Sequence, residues 1–472
     1  MKKKQLYDFG MVGLGVMGRN FLLNVADHGF SIAGLDNNKE QAAALEIEAE
    51  GKQVLGTTDM KTFVLSLKKP RKIMLLVPAG KVVDIVIDGL LKYVEKGDLI
   101  IDGGNSFFVN TDRRLEFLKD KNIDFLGVGV SGGAKGARFG PSIMPGGSKK
   151  AYNKVRKILE AVSAKVNDEP CVAYMGKGSA GNYVKMVHNG IEYAMMQLLA
   201  ESYDILKNIG GLNNDELHQA YKKYNQGKLK SFLVEITADI FTQKDDLSRG
   251  MLIDKILDKA KQKGTGKWTS QNAMDFGIPV PTIDAAVTMR GISSQKEERV
   301  AASKILKTRT TKSKEEKSKL VKAVGDSLYF AFITAYAQGM ALLVDASKEK
   351  KYGLDMEATA RIWRGGCIIR AVLLEDIRKA YSSNADLPNI MMDATFAKHL
   401  KRTQSAIRSI IKKAIDAGIP TLAFSASLAY FDAYRSDRLP LNLVQAQRDY
   451  FGSHTYERVD QEGIFHTEWE ER

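Results

Sequence analysis

The chain has 472 residues, a formal net charge of +14 and two cysteines. This length predicts two or three domains. Cys171 and Cys367 form neither a disulfide framework nor a metal motif, which favours buried thiols in a reducing cytoplasm. The positive charge is compatible with a nucleic acid, an acidic membrane or an anionic small substrate as partner.

The first third of the chain alternates short apolar runs with helical segments. Asp8 and several glycines interrupt the amino-terminal apolar stretch, so we expect a first strand there and no signal peptide. The predicted strands are DFGMVGLG (8–15), SIAGLD (31–36), KIMLLV (72–77), DLIIDGG (98–104) and IDFLGVGVSGG (123–133). This order predicts parallel β/α units over residues 1–178.

A glycine-rich turn follows the first predicted strand. Gly13, Gly15 and Gly18 form a G-x-G-x-x-G pattern that opens a helix, and Asp36 ends the next strand. Glycines let the backbone approach a pyrophosphate, and the acidic residue meets the adenosine ribose. We therefore predict a Rossmann-type dinucleotide site. Because the Asp36 carboxylate would repel the 2′-phosphate of NADP, the expected coenzyme is NAD unless Lys39 offsets that charge.

Two later loops lie at the ends of predicted strands, where ligands bind in open α/β sheets. They are IDGGNS, of which residues 102–106 form the loop, and VSGGAKGARFGPSIMPGG (130–147). Exposed amides in such loops can hold a carboxylate. Plain glycine-rich turns are the alternative.

The segment YVKMVHNGIEY places four polar residues on one helical face. Lys185, His188, Asn189 and Glu192 fall at i, i+3, i+4 and i+7. A solvated stripe is the ordinary interpretation of such spacing. The mixture of a base, an imidazole, an amide and an acid favours acid–base chemistry instead.

Helical patterns dominate residues 179–439. The segment from Gly211 aligns with the segment from Gly353, which predicts an internal duplication. The basic stretch 296–322 is interrupted by glutamates and lacks aromatic residues, so we expect a solvated helical surface and no nucleic-acid platform. The uncharged run 327–344 is near the lower limit for a membrane span, and its polar residues favour a buried helix. Residues 440–472 form a polar, aromatic tail that needs a surface to pack against.

With GLGVMG, IDGGNS, GVSGGAKGARFGPSIMPGG, VKMVHNGIEY, QKGTGKWT and QRDYFGSHTYER, the chain resembles the 6-phosphogluconate dehydrogenases over essentially its whole length. The resemblance implies a cytoplasmic enzyme of the pentose phosphate pathway and of gluconate utilisation. That enzyme oxidatively decarboxylates 6-phosphogluconate to ribulose 5-phosphate and CO2. It also implies a Rossmann-type domain, a duplicated all-helical domain and a homodimer in which each tail enters the other subunit. No metal is implied, and no metal-ligand cluster appears in the sequence.

The resemblance also assigns roles to matching positions. Lys185 would be the general base at the C3 hydroxyl, and Glu192 the general acid that protonates C1 of the enediol. Lys263 and Arg290 would hold the phosphate, together with Arg448 and His454 from the tail of the other subunit. The sugar acid would meet Asn105, Ser131, Gly132, Gly133, His188, Asn189 and Tyr193. The coenzyme would meet Gly13, Gly15, Met17, Gly18, Asp36, Asn37, Val77, Ala79 and Asn105.

The chain departs from the family near the adenosine ribose. NADP-using members typically carry Asn-Arg-Thr at the positions of Asp36, Asn37 and Asn38, and Lys at the position of Pro78. Each departure removes positive charge or adds negative charge, which strengthens the expectation of NAD.

Two alternatives stay open from the sequence. The Gly-x-x-x-Lys-x-x-x-Asn pattern of Gly181, Lys185 and Asn189 also occurs in other β-hydroxyacid dehydrogenases, although the chain length, Glu192 and the tail disfavour them. A noncatalytic nucleotide-binding protein is compatible with the charge, but an intact Lys185 and Glu192 pair disfavours it.

Overall fold

The computed structural model describes residues 5–307 and 315–469. The chain divides between Ser427 and Leu428 into two compact units. The domain bounds predicted at 178/179 and 439/440 remain predictions.

The amino-terminal part of the first unit is a seven-stranded sheet. Its strands are β1 (Phe9–Val12), β2 (Ile32–Leu35), β3 (Val54–Thr57), β4 (Lys72–Leu75), β5 (Leu99–Asp102), β6 (Asp124–Ser131) and β7 (Ser142–Gly147). The order is β3-β2-β1-β4-β5-β6-β7, and every neighbouring pair is parallel except β6 and β7. The predicted parallel β/α architecture and its five strands are confirmed.

Helices cover both faces of this sheet. They are α1 (Val16–Asp27), α2 (Lys39–Glu48), α3 (Met60–Leu65), α4 (Lys81–Leu90), α5 (Phe108–Lys119), α6 (Gly133–Phe139) and α7 (Lys149–Val162). Alternate strand residues point to opposite faces. Phe9, Met11 and Met74 join one apolar core, whereas Val12 and Ile73 join the other. The doubly wound arrangement follows from this alternation.

Two strands of the sheet were not predicted. β3 has only four residues, all half-buried at the sheet edge. β7 lies inside the segment 130–147, which we predicted as a ligand-binding loop. That prediction was wrong for residues 142–147, because β7 pairs antiparallel with β6. Pro145 is compatible with an edge strand, where a missing N–H is tolerated.

A small hairpin follows the sheet, and each of its strands, β8 (Lys165–Val166) and β9 (Glu169–Pro170), has two residues. The rest of the described chain is helical. The helices are α8 (Ala180–Asp204), α9 (Asn214–Tyr224), α10 (Phe232–Ile240), α11 (Thr265–Asp275), α12 (Pro281–Ser294), α13 (Lys296–Ile305), α14 (Lys317–Glu349), α15 (Met356–Ile362), α16 (Leu373–Ser383), α17 (Ala394–Asp416), α18 (Leu422–Tyr434) and α19 (Leu441–Gly452). A π-helical turn, Ile205–Ile209, extends α8, and 3-10 turns span Leu252–Asp254 and Ile390–Met392.

The predicted duplication is visible in the order of these helices. The long helices α8 and α14 are each followed by a left-handed glycine, Gly211 at φ 63° and Gly353 at φ 71°, and then by two shorter helices. The extended segments inside the two repeats meet in an antiparallel bridge between Ser231 and Ala371. The two halves therefore contact each other through corresponding segments.

Helix α14 is the one described helix long and apolar enough to span a membrane, and 94% of its most apolar window is buried inside the fold. Residues 327–344 are all buried, so the predicted buried helix is confirmed. Helix α13 has no buried residue, as expected of a solvated surface. Residues 308–314 of the basic stretch lie outside the described residues. Cys171 and Cys367 are free, buried thiols, as predicted.

The second unit is organised around one buried carboxylate. Asp449 of α19 is fully buried and lies beside the imidazole of His466, with a separation of 2.8 Å between His466 Nδ1 and Asp449 Oδ1. Its two oxygens also accept hydrogen bonds from Thr455 N, Thr467 N and Trp469 Nε1. Because so many donors surround the carboxylate, the pKa of Asp449 is lowered to about 2, even though burial acts to raise it. The predicted tail thus contains a helix and a local polar centre.

Candidate active site

The turn between β1 and α1 has the geometry of a pyrophosphate cradle. A Cβ on Gly18 would lie 1.9 Å from the Gly13 carbonyl oxygen, so only glycine allows this approach of helix to strand. A Cβ on Gly15 would meet nothing within 4 Å, and Gly15 caps α1 without a side-chain hydrogen bond. The first amides of α1 are therefore open to an anion. The residues fit a dinucleotide.

Asp36 lies at the end of β2 with its carboxylate held by the backbone. Asp36 Oδ2 accepts a 2.7 Å hydrogen bond from Leu14 N, and Oδ1 accepts a 2.9 Å bond from Asn38 N. A carboxylate has about four acceptor positions, so each oxygen can accept one more donor. The carboxylate is thus oriented and retains capacity for ribose hydroxyls.

A pocket of about 460 Å³ opens beside Asp36. It is lined by Val12, Gly13, Gly15, Leu35, Asp36, Asn37, Thr58, Met60, Leu76, Val77, Pro78, Val82 and Val86. None of these lining residues carries a positive charge. Of the predicted coenzyme residues, Met17, Gly18, Ala79 and Asn105 lie outside this lining.

Glycines seat the long helix α8 directly on the sheet. A Cβ on Gly129 of β6 would lie 2.4 Å from Lys185 Cβ, and a Cβ on Gly181 would lie 2.3 Å from the carbonyl oxygens of Gly127 and Met144. Larger side chains at these positions would push α8 away. The close approach brings Lys185 to the carboxyl end of β6.

The four polar residues of α8 lie together, as their spacing predicted. Lys185 Nζ donates a 2.8 Å hydrogen bond to Asn189 Oδ1 and lies 3.5 Å from His188 Nδ1. Glu192 Oε2 is 4.0 Å from His188 Nδ1. Lys185 is 6% exposed and His188 is fully buried, which rules out a solvated stripe.

Burial displaces the three titrating groups in a consistent way. It lowers the pKa of Lys185, against the opposing charge of Glu192. It raises the pKa of Glu192, against the positive charges of Lys185 and Arg290. Burial and the Lys185 charge together hold the pKa of His188 well below its usual value. Each shift is toward the uncharged form of its group.

Two loops of the sheet contribute further predicted residues. Ser131 ends β6, and its Oγ lies 3.4 Å from His188 Nε2. Gly132 adopts φ 115° and Gly133 φ 63°, so the chain turns sharply into α6 beside Ser131. Asn105 is exposed in the loop after β5, next to Gly104, whose carbonyl oxygen accepts a hydrogen bond from Asn182 of α8. Ser131, Gly132 and Gly133 thus lie at the polar face of α8.

The predicted phosphate residues of the first unit lie around Tyr193. The Arg290 guanidinium stacks 4.7 Å from the centre of the Tyr193 ring. Arg290 also donates to the Lys261 carbonyl oxygen, which ties α12 to the loop that carries the exposed Lys263. A Cβ on Gly266 would lie 2.5 Å from the Tyr193 ring, so the first turn of α11, which follows this loop, packs tightly there. Two cations and a phenol thus share one region.

The predicted tail residues belong to the second unit. Arg448 lies on α19 and bonds to Gln445. His454 follows the helix, and its ring contacts the Phe451 ring at 6.1 Å.

Several contributing residues escaped the sequence analysis. Thr265 Oγ1 accepts a 3.2 Å hydrogen bond from Asn189 Nδ2, and Asn182 links α8 to Thr111 and to the Gly104 carbonyl oxygen. Thr265 stands within the quoted QKGTGKWT segment, so its motif was a usable signal. Asn182 stands between Gly181 and Tyr183 and offered none.

Comparison with known proteins places the chain in one family. A model of the NAD binding domain of 6-phosphogluconate dehydrogenase matches residues 8–176. A model of the 6-phosphogluconate dehydrogenase C-terminal domain matches residues 181–469. Together the two models cover nearly the whole chain.

Individual relatives match the chain over all or nearly all of their length. The NADP(+)-dependent, decarboxylating 6-phosphogluconate dehydrogenase of Bacillus subtilis (strain 168) is 51% identical over 470 residues, which is 99% of this chain and 100% of that protein. The decarboxylating enzyme of Lactococcus lactis is 48% identical over 464 residues, 98% of each chain.

A solved structure shows the same fold. The 6-phosphogluconate dehydrogenase of Plasmodium falciparum, studied in its apo form and in complexes with NADP+ and with 6-phosphogluconate, superposes with a TM-score of 0.95. It is 47% identical and covers 98% of this chain and 100% of its own. The chain belongs to the 6-phosphogluconate dehydrogenase family and is a decarboxylating, nicotinamide-dependent oxidoreductase.

Proposed function

We propose that this enzyme converts 6-phosphogluconate to ribulose 5-phosphate and CO2, with Lys185 as general base and Glu192 as general acid. The main support for this proposal is that the two groups share one helix face and that burial shifts their pKa values in opposite directions. Each is thereby moved toward the protonation state that its role needs.

The first step removes two hydrogens from C3 of the substrate. Neutral Lys185 accepts the C3 hydroxyl proton at Nζ. When bound, the nicotinamide ring supplies the acceptor for the hydride that leaves the same carbon. The hydrogen bond to Asn189 fixes the direction of Nζ, so the base is positioned before substrate binds.

The second step breaks the bond between C1 and C2. The C3 ketone accepts the electron pair as CO2 leaves, and protonated Lys185 returns its proton to that oxygen. The resulting enediol accepts a proton at its C1 from Glu192, while Lys185 takes the hydroxyl proton again and a ketone forms. Neutral His188 fills the space between the two groups without adding a competing charge.

We further propose NAD as the preferred coenzyme. The support is the Asp36 carboxylate, which is oriented by two backbone amides beside a pocket whose lining has no positive residue. Ribose hydroxyls can donate to this carboxylate, whereas a 2′-phosphate would meet a like charge. The Bacillus subtilis relative is named NADP(+)-dependent, so this proposal gives the two proteins different preferred coenzymes.

Replacing Asp36 tests the coenzyme proposal. An Asp36→Asn, Asn37→Arg double variant should lower the ratio of kcat/KM for NAD to that for NADP by about 10- to 100-fold, the value of one or two charged hydrogen bonds. Asp88→Asn is the matched control, because Asp88 is exposed on α4 and does not line the pocket. An unchanged ratio in the double variant would remove Asp36 from coenzyme selection.

We also propose a homodimer in which Arg448 and His454 complete the substrate site of the other subunit. Mixed refolding of Lys185→Ala and Arg448→Ala chains tests it. Each variant alone should be nearly inactive, and the mixture should recover about a quarter of wild-type activity, because half of the dimers have one intact site. If Arg448 serves its own subunit, the mixture stays inactive.

Product analysis tests the reaction itself. The enzyme with 6-phosphogluconate should release CO2 and reduced nicotinamide in a one-to-one ratio. Reduction without CO2 would contradict a decarboxylating cycle and indicate a simple hydroxyacid oxidation.

A further inference from the structure

A cavity of about 670 Å³ lies next to the sheet, away from the nucleotide pocket. Two of its lining residues mark where strands start: Gly97 precedes β5, and Asp124 is the first residue of β6. The cavity therefore lies at the amino ends of these parallel strands. The coenzyme cradle lies at the carboxyl ends. The eight residues of β6 span about 25 Å at about 3.3 Å per residue, which separates the cavity from Ser131.

This cavity is strongly basic. Six lysines line it, Lys96, Lys119, Lys149, Lys150, Lys154 and Lys177, with only two carboxylates, Glu116 and Asp124. The net charge of the lining is therefore +4. Lys154 pairs with Asp124, and Lys119 lies 3.5 Å from Glu116. The other four lysines pair with no carboxylate of the described residues and remain available to an anion.

The backbone adds to this positive potential. Helix α7 begins at the cavity wall with Ser148 as its cap, and its first turn contains no acidic residue. The amides of Lys149 and Lys150 have no acceptor within the helix. The positive end of the helix dipole thus lies among the lysines, where a phosphate is stabilised.

The same cavity also has apolar walls. Leu115, Ile123, Phe125 and Tyr174 contribute to its walls. Tyr174 is held in place, because its ring stacks on Tyr152 at 5.7 Å and its hydroxyl donates to the Gly147 carbonyl oxygen. The Lys149 ammonium group lies over the same Tyr174 ring, 5.9 Å from its centre. A fixed aromatic ring with cations beside it suits a ligand that joins a base to several phosphates.

We infer that this cavity, the α7 cavity, binds a nucleoside polyphosphate at a site separate from the coenzyme site. The phosphates meet Lys149, Lys150 and the start of α7, while Lys96 and Lys177 add charge from the other walls. The base lies on the apolar wall beside Tyr174. The volume is within the range of about 300–1,000 Å³ that is usual for small-molecule sites.

Calorimetric titration of the full-length enzyme with ATP tests this inference. Saturating 6-phosphogluconate and reduced coenzyme, which cannot react with each other, occupy the active site. We expect one ATP bound per chain, with about tenfold weaker affinity in a Lys149→Ala, Lys150→Ala variant. Both side chains are exposed, so the fold tolerates their removal.

A charge-matched control locates the effect. Lys222→Ala, Lys223→Ala also removes two adjacent exposed lysines, at the end of α9, and should change ATP affinity by less than about twofold. Absence of ATP binding, or equal affinity in the Lys149, Lys150 variant and the control, would overturn the inference. Because the variants locate the binding, this outcome is independent of the proposed catalytic reaction.

Inorganic tripolyphosphate separates the role of the ring from that of charge. It should bind about tenfold more weakly than ATP, since base stacking contributes about 1–3 kcal/mol. Equal affinity of the two anions would overturn the assignment of a nucleoside ligand. A Lys96→Ala, Lys177→Ala variant should weaken both anions in the same proportion, and no effect on either would contradict the placement of the phosphates.

Discussion

Lys185 Nζ and Asn189 Oδ1, one helical turn apart, are joined by a 2.8 Å hydrogen bond. Asn189 is itself fixed, because its Nδ2 donates to Thr265 Oγ1 at the start of α11. A buried lysine normally needs a charged partner or loses its proton. Here the partner is a neutral amide, so the arrangement orients the amine without stabilising its charge strongly.

Lys185→Ala should abolish turnover while leaving substrate binding. Loss of the base lowers kcat by about 10²-fold or more, because the C3 hydroxyl proton then has no positioned acceptor. Steady-state kinetics and calorimetric binding of 6-phosphogluconate measure the two effects. Lys401→Ala, an exposed lysine on α17, is the control. Wild-type kcat in the Lys185 variant would remove this residue from the mechanism.

Activity should have a bell-shaped pH profile. Burial lowers the pKa of Lys185 and raises that of Glu192, so activity needs both an amine that has lost its proton and a carboxyl group that keeps one. The two limbs belong to the coupled pair. Glu192→Gln removes one titrating group. The variant's kcat should be lower than that of wild type by about 10²-fold or more, and its profile from pH 5 to 10 should keep only one limb. Two unchanged limbs would show that Glu192 does not titrate in the reaction.

Gly129→Ala should impair catalysis through the position of α8. The new Cβ would lie 2.4 Å from Lys185 Cβ and 3.0 Å from the Gly181 carbonyl oxygen, so helix and strand must separate. We expect a loss of about 1–3 kcal/mol in the free energy of unfolding and a lower kcat. Gly227→Ala is the control, since its Cβ would have only one neighbour, at 3.9 Å. Equal stability and kcat in the two variants would contradict the close packing.

Glu201 should make the first unit less stable as pH rises. Its oxygens accept from Ala423 N and Phe424 N at the start of α18, yet burial raises its pKa to about 7. The native state therefore holds a proton that the unfolded chain releases near pH 4.5. The resulting stability is fully present below that value and is lost progressively up to about pH 7, by about 3 kcal/mol in total.

Chemical denaturation of wild type and Glu201→Gln at pH 4.5, 6 and 8 measures this effect. Glutamine does not titrate, so the decline in the free energy of unfolding with pH should be smaller in the variant. Parallel pH profiles for the two proteins would contradict the raised pKa of Glu201.

Local patterns were sufficient to predict the strands and the catalytic face. Buried parallel strands are short continuous apolar runs, and helical spacing alone places Lys185, His188, Asn189 and Glu192 together. Edge strands were harder, because β3 is only half-buried and β7 contains proline and two glycines. Their pairing depends on neighbouring strands that local sequence does not specify.

Contacts between distant segments were also beyond local patterns. Thr265 meets Asn189 across 76 positions, and Asn182 meets Thr111 across 71. Such pairs depend on how α8 crosses the sheet and α11. Likewise, the raised pKa of Glu201 follows from tertiary burial, and nothing in the surrounding sequence marks it.

The most direct measurement is reduction of NAD and of NADP by the wild-type enzyme with 6-phosphogluconate, followed at the nicotinamide absorbance. The account predicts reduction of both coenzymes with a higher kcat/KM for NAD, because Asp36 accepts hydrogen bonds from a free ribose and repels a 2′-phosphate. A higher kcat/KM for NADP would contradict the role of Asp36, and no reduction of either coenzyme would contradict the catalytic roles of Lys185 and Glu192.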